Sequence, residues 1–329
     1  MRFAVLRLLR PTRCGYGLSA PDLLTRVLAR AAGQESNMNQ QQRIDDYLAL
    51  TPALMDYGWF IAPYINGEEH DRVKKLVAHI QANPPSDDAA KQAIEDKIHR
   101  EFLDVAFSNQ VRARYVWQAL RTPHIREYSH LYESAVFAYY KREYAGAVCL
   151  LLTALEGVLL SINGWRAGSA QRKPSFAELK NTLAALTLAN VNPEMNAIQR
   201  AFRDGLSQFV SRWLYEDTSN ADLTLSVLNR HYVLHGMDSG NFYRPHDIHR
   251  LLLAFDLLID VVAMIKGTYR SIVEADLNKY EQRRVFYDNL RTGLLSVTAA
   301  ADGEQGLLKQ HPNYVPPALE ACIELRQKP

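Results

Sequence analysis

The feature that most constrains this chain is the spacing of apolar residues at 143–162, where Tyr144, Val148, Leu151, Leu152, Leu155, Leu159 and Ile162 recur mostly three or four positions apart. That spacing gathers them on one wide face of an α-helix, which must be covered by other elements, so this helix is expected at the centre of a bundle. The same period opens with Ile44, Tyr47, Leu48 and Leu54 and returns over residues 71–82, 87–107, 110–120 and 124–142. Past 162 it resumes at 175–188, 193–215, from about 220 to 236, 247–266 and 271–290. The long apolar segment 247–266 is expected to close the bundle. Only residues 59–65, between Gly58 and the Asn66-Gly67 turn signal, read as extended, and a short connector suffices there. The expected fold class is all-α.

The breaks in the pattern set the boundaries. Residues 82–86 contain Pro84 and Pro85 but are too few for a linker; Ser86 offers a cap to a helix whose first turn holds Asp87 and Asp88. Pro123 stops the preceding helix, and a domain boundary is expected there. Residues 163–174 carry Gly164, Gly168 and Ser169 with Arg166, Arg172 and Lys173 and no acid, which reads as a flexible basic loop. Pro193 and Pro245 suit helix first turns, Thr218, Ser219 and Asn220 offer caps, and Gly236 ends a helix. The expected organisation is a leader at 1–37, an N-terminal helical region at 38–123, a bundle at 124–268 and a helical tail at 269–329 that packs as an appendage. The leader holds six arginines against Asp22 and Glu35, a net +4, and leaves the remainder at −2. A transit peptide has this composition, and so does an upstream extension with the working start at Met38; the second is the expectation.

Composition narrows the function classes. A net charge of +2 excludes the broad basic field of a general DNA coater, so any nucleic-acid contact must be a local patch. Cys14, Cys149 and Cys322 are odd in number and far apart, against both a disulfide framework and a cysteine zinc site. Residues 251–265, read as the most apolar stretch, are interrupted by Asp256 and Asp260 and are shorter than the ~20 residues of a bilayer span. A soluble protein of a reducing compartment, the cytoplasm, with no membrane association, is expected.

Chemistry concentrates in residues 228–236, which read LNRHYVLHG. Arg230 and His235 lie five apart, roughly 140° around an ideal helix and about 7.5 Å along it, whereas His231 and His235 share a face. Glu156 falls between Leu152 and Leu159 on or beside the apolar face of its helix, where a carboxylate needs a cationic partner. Arg230 and the motif histidines are the expected partners. His246 and His249 add to the histidines near the motif, but Tyr232 follows His231 where a zinc hydrolase has glutamate, so no metal is expected. Asp256 and Asp260 are expected to hold basic residues across the bundle.

This segment resembles the HEPN superfamily, the higher-eukaryote and prokaryote nucleotide-binding domain, whose ribonuclease members carry an arginine, a polar residue, three variable residues and a histidine on a late bundle helix. Here those positions are Arg230, His231 and His235, and residues 144–159 resemble the earlier helix that presents an acid to the motif, here Glu156. The resemblance implies a HEPN-like bundle and a metal-independent, cofactor-free endoribonuclease of the toxin or phage-defence kind. It also implies a homodimer, with RNA as substrate and a regulatory or antitoxin protein as partner. The alternative is a HEPN-like RNA-binding or protein-interaction module that no longer cuts. RNA contacts are expected from Arg166, Arg172 and Lys173 in the basic loop and from Tyr243 and Arg244, the tyrosine as a stacking surface.

Overall fold

The computed structural model describes residues 40–61, 67–186, 193–216, 228–234, 244–266, 268 and 274–314. All regular structure among them is helical. The helices are α1 (Gln40–Met55), α2 (Gly67–Ala82), α3 (Asp88–Phe107), α4 (Asn109–Ala119), α5 (Ser129–Tyr140) and α6 (Tyr144–Ile162). They continue with α7 (Phe176–Asn181), α8 (Pro193–Phe209), α9 (Arg230–Leu234), α10 (Pro245–Ile265), α11 (Glu274–Thr292) and α12 (Val297–Leu308). A π-helical turn, Val210–Leu214, extends α8.

The helix expected to close the bundle is its axis. Every residue of α10 from Asp247 to Met264 is buried, because α3, α4, α6 and α8 all pack against it. Leu251, Leu252, Leu258 and Ile259 are wholly enclosed, each contributing roughly 1.5–3 kcal/mol by leaving water. The helix expected to be central, α6, packs chiefly on α5 and α10. Among the described residues it is also the one helix long and apolar enough to cross a membrane, with a mean hydropathy of 2.1, so it and not 251–265 is the most apolar stretch there. In the fold 67% of that window is buried, as befits a core helix.

The core does not pause at Pro123. One apolar cluster includes Leu54, Trp59 and Ile98 before that point and Leu155, Leu258 and Leu307 after it. The C-terminal helices also enter it: α11 packs on α4 and α5, sending Arg283 and Tyr287 into full burial. Helix α12, capped by Ser296, was not foreseen in the sequence. Capping also moves at α3, where Asp87, not Ser86, accepts from the backbone of Ala90 at 2.8 Å.

The α5–α6 turn and the end of α6 close alike. In both, the residue after the cap is left-handed, and paired backbone bonds run back into the last turn. Gly164 occupies that place after α6 with φ 77°, while Arg142 occupies it after α5 with φ 65°.

Candidate functional site

Glu156 sits on α6 where the helix presses against another chain segment. A side chain at the next residue, Gly157, would lie 2.2 Å from the Tyr128 ring. This close approach leaves the Glu156 carboxylate at the edge of the core, with 7% of the residue exposed. Arg230 meets it there: Nε donates to Oε2 at 2.5 Å and a terminal guanidinium nitrogen bonds the same oxygen. Lys173 of the basic loop lies 3.4 Å from Oε1. The expected Glu156–Arg230 contact is therefore present, and a second cation joins it.

The helix carrying Arg230 is shorter at its start than expected. Leu228 and Asn229 are non-helical and α9 begins at Arg230 itself. Asn229 is buried, its side-chain amide donating to the carbonyl of Glu216 at 2.9 Å, which pins the entry to α9 beside Tyr215. Tyr215 is buried against the pair, and its phenol is pushed above the usual range by burial first and by Glu156 second. Phe176, 51% exposed, lies under the Arg230 guanidinium at 5.5 Å and beside the Tyr215 ring at 5.8 Å. Lys173 approaches the Trp165 ring at 5.8 Å. The result is a half-open patch in which two cations alternate with aromatic rings around one carboxylate. Phe176, Tyr215 and Trp165 were missed in the sequence; only the Ser175 cap, which sets Phe176 at the start of α7, gave a local cue.

The other expected RNA-binding residues fare differently. The basic loop has no acid of its own, but each of its cations finds one from elsewhere in the fold. Arg166 bonds Glu127 at 2.5 Å, Arg172 bonds Glu178 at 2.6 Å and Lys173 pairs with Glu156. Glu178, pulled down to about 2 by Arg172 and then by the Ser175 cap, is fully ionised at neutral pH. Arg244 lies 3.3 Å from Asp247 and is tied to Gln92. None of these described residues offers a bare positive charge. His235, Tyr243 and the side chain of His231 lie outside the described residues, so the expected convergence of His235 with Arg230 has no geometry to report.

His246 and His249, named as possible ligands, join a third histidine not foreseen. His99 of α3 packs its ring against His246 at 3.9 Å between ring centroids and lies 2.7 Å from the Nδ1 of His249. His246 turns its Nε2 to Asp96 at 3.1 Å, and His249 bonds the Tyr139 hydroxyl. Four ring nitrogens are thus spent on each other and on neighbours, while the buried Nδ1 of His246 has no hydrogen-bond partner among the described residues. Among the described residues, no three His, Cys, Asp or Glu side chains converge as metal ligands. Burial, followed by the neighbouring imidazole and Arg250, depresses His99 to about 4.

Asp256 and Asp260 are buried on α10. Asp256 is gripped by Arg112, with Oδ1 at 3.0 Å, and takes the Tyr132 hydroxyl at 2.6 Å. Asp260 accepts instead from the Tyr115 hydroxyl at 2.6 Å, and burial raises it to about 7. The expected basic partner thus bonds the first directly, while the second bonds a phenol and feels the nearby charge of Arg114.

Comparison of the chain with known protein families, with characterised proteins and with solved structures finds no match.

Proposed function

We propose that this chain is a metal-independent endoribonuclease of the HEPN type, acting in the cytoplasm in toxin or phage-defence biology. The observation that carries the reading is the Arg230 guanidinium, held by Glu156 at a half-open edge next to exposed Phe176. A guanidinium fixed by a carboxylate, its side chain still 14% exposed, suits the charge that builds on a phosphate during cleavage. In this reading the 2′-hydroxyl of the RNA displaces the 5′-oxygen of the next nucleotide, giving a 2′,3′-cyclic phosphate and a 5′-hydroxyl. His235 moves the protons, Arg230 stabilises the phosphorane-like state, His231 orients groups and Glu156 positions Arg230. On an ideal helix positions 230 and 235 would diverge, so two motif helices from a homodimer would complete the site. A regulatory or antitoxin protein would restrain it.

The test is cleavage of single-stranded RNA in the presence of a chelator. The expected outcome is cyclic-phosphate products that persist with chelator, vanish on a substrate lacking the 2′-hydroxyl at the cut site, and fall roughly a hundredfold or more with His235→Ala. Chelator-sensitive cleavage, or equal cutting of the deoxy substrate, overturns it. The carboxylates matched to every described loop cation favour a second reading, a HEPN-like RNA-binding or protein-interaction module. Tight binding of RNA without cleavage by the wild-type chain would select that reading.

A further inference from the structure

We propose that a cleft lined in part by Arg166 of the basic loop binds a phosphate-bearing ligand of nucleotide size. Its volume of about 520 Å³ is lined by Arg126, Glu127, Arg166, Lys279, Gln310 and Asn313, within the range of about 300–1,000 Å³ for small-molecule sites. None of the ribonuclease chemistry is needed for this site, and it stands if that reading fails.

Charge is the first argument. Three cations face one carboxylate, and that carboxylate, Glu127, is already engaged by Arg166 at 2.5 Å. Asp276, one helical turn before Lys279 on α11, is drawn away by Arg121 at 2.6 Å, whose guanidinium stacks over the Trp117 ring at 4.0 Å. Among the described residues, no carboxylate lies in ion-pair range of Arg126 or Lys279. The cleft therefore presents two uncompensated cations, one of them a guanidinium fork suited to phosphate oxygens. Gln310 and Asn313 add carboxamide groups for a polar scaffold attached to the phosphate.

Rigidity is the second argument, because the two walls are clamped from behind. The Ser129 hydroxyl donates to the carbonyl of Arg126 at 2.8 Å and lies 2.7 Å from His311 Nδ1, joining the turn that carries Arg126 to the one that carries Gln310 and Asn313. The other nitrogen of His311 bonds Glu133, which also accepts from Arg283 at 2.9 Å and from the Tyr287 hydroxyl at 2.5 Å. Ser129, Glu133 and Arg283 are wholly buried. Across the mouth, Asn313 donates to the carbonyl of Glu127 at 3.1 Å. The turn itself is bent by His124, a non-glycine residue at φ 67° whose ring is bonded to Ser161 at 3.1 Å. A left-handed residue of this kind is strained and persists only where its surroundings over-determine it. A site whose walls are fixed before binding loses little entropy when occupied.

The experiment is isothermal titration of the full chain at low salt with inorganic pyrophosphate, ADP and a ten-nucleotide single-stranded RNA. Wild type is compared with Arg126→Ala/Lys279→Ala, and Lys75→Ala/Lys91→Ala on α2 and α3 serves as a charge-matched control. Both cleft residues are exposed, so the double variant should keep the wild-type thermal midpoint. The expected result is micromolar binding of at least one probe, weakened tenfold or more in the double variant and unchanged in the control. Binding of pyrophosphate or ADP would identify a free phosphorylated ligand; binding of the RNA alone would identify a nucleic-acid backbone. No binding of any probe at millimolar concentration, or equal affinity in the double variant, overturns the proposal.

Discussion

Two of the polar clusters in this molecule, one around α10 and one around Glu156, are built to opposite ends. Around α10, Arg112, Asp256, Tyr132, Tyr115 and Asp260 are buried, and each is met by a neighbour. Around Glu156, the carboxylate is nearly buried but its cations reach it from the edge, Lys173 with a side chain 54% exposed. A charge sealed in a core gains its attraction in a poor dielectric but has no water to fall back on when a partner is lost. A charge at an edge keeps that recourse. The first arrangement fixes a fold, and the second leaves a surface on which chemistry can occur.

The largest expected effect breaks the first cluster. Arg112→Met strands Asp256 and should cost about 3–5 kcal/mol, as for removal of one partner from a buried pair. Arg230→Met, by contrast, leaves Glu156 with Lys173 and should cost only about 1–2 kcal/mol. Urea denaturation of both variants tests the contrast, and equal losses would erase the distinction between the clusters. Next, Gly157→Ala drives a methyl group into the Tyr128 ring, an overpacking expected to cost about 1–3 kcal/mol. If the same melt shows no loss, α6 is not held against Tyr128 as described.

Proton linkage sharpens the comparison, because two groups on or beside α10 pull in opposite directions. His99, depressed to about 4, takes up its proton later in the folded chain than in the unfolded one. Its contribution is whole above about 6.5, the ordinary histidine value, and is lost as pH falls toward 4. Asp260, raised to about 7, holds its proton longer in the folded chain. Its contribution is whole below about 4 and is lost as pH rises toward 7. Between pH 4 and 6.5 the two slopes oppose, so His99→Gln should make stability decline more steeply as pH rises, and Asp260→Asn should do the reverse. Denaturation midpoints across that range decide it, and a profile unchanged by either variant would show that the α10 groups are not linked to folding. The smallest effect belongs to the loop. Glu178→Gln, which removes the exposed partner of Arg172, should shift the midpoint by no more than a surface pair does, leaving it almost unchanged.

Periodicity made the helices other than α12 legible, and Glu156 was legible for a related reason. A lone carboxylate between Leu152 and Leu159 demands a cation, and Arg230 meets it. Burial on all sides was not legible for α10. Its Asp247, His249, Arg250, Asp256 and Asp260 interrupt the apolar run, and only the partners supplied by α3, α4 and α5 make those residues interior. The basic loop misled for the same reason. Its acids, Glu127, Glu156 and Glu178, lie outside residues 163–174, so charge counted along the chain differed from charge summed in space. His99 packs its ring against His246 from 147 positions away, a separation no local pattern encodes.

The enclosure of α10 also sets an order of events during synthesis. The helix around which α3, α4, α6 and α8 gather is translated after all of them, so their apolar faces are complete before the surface that covers them exists. At roughly 5–20 residues per second, the ribosome leaves those faces without their common partner for several seconds. A nascent chain that has passed α6 but not α10 is thus a natural client for a chaperone that shields exposed helices.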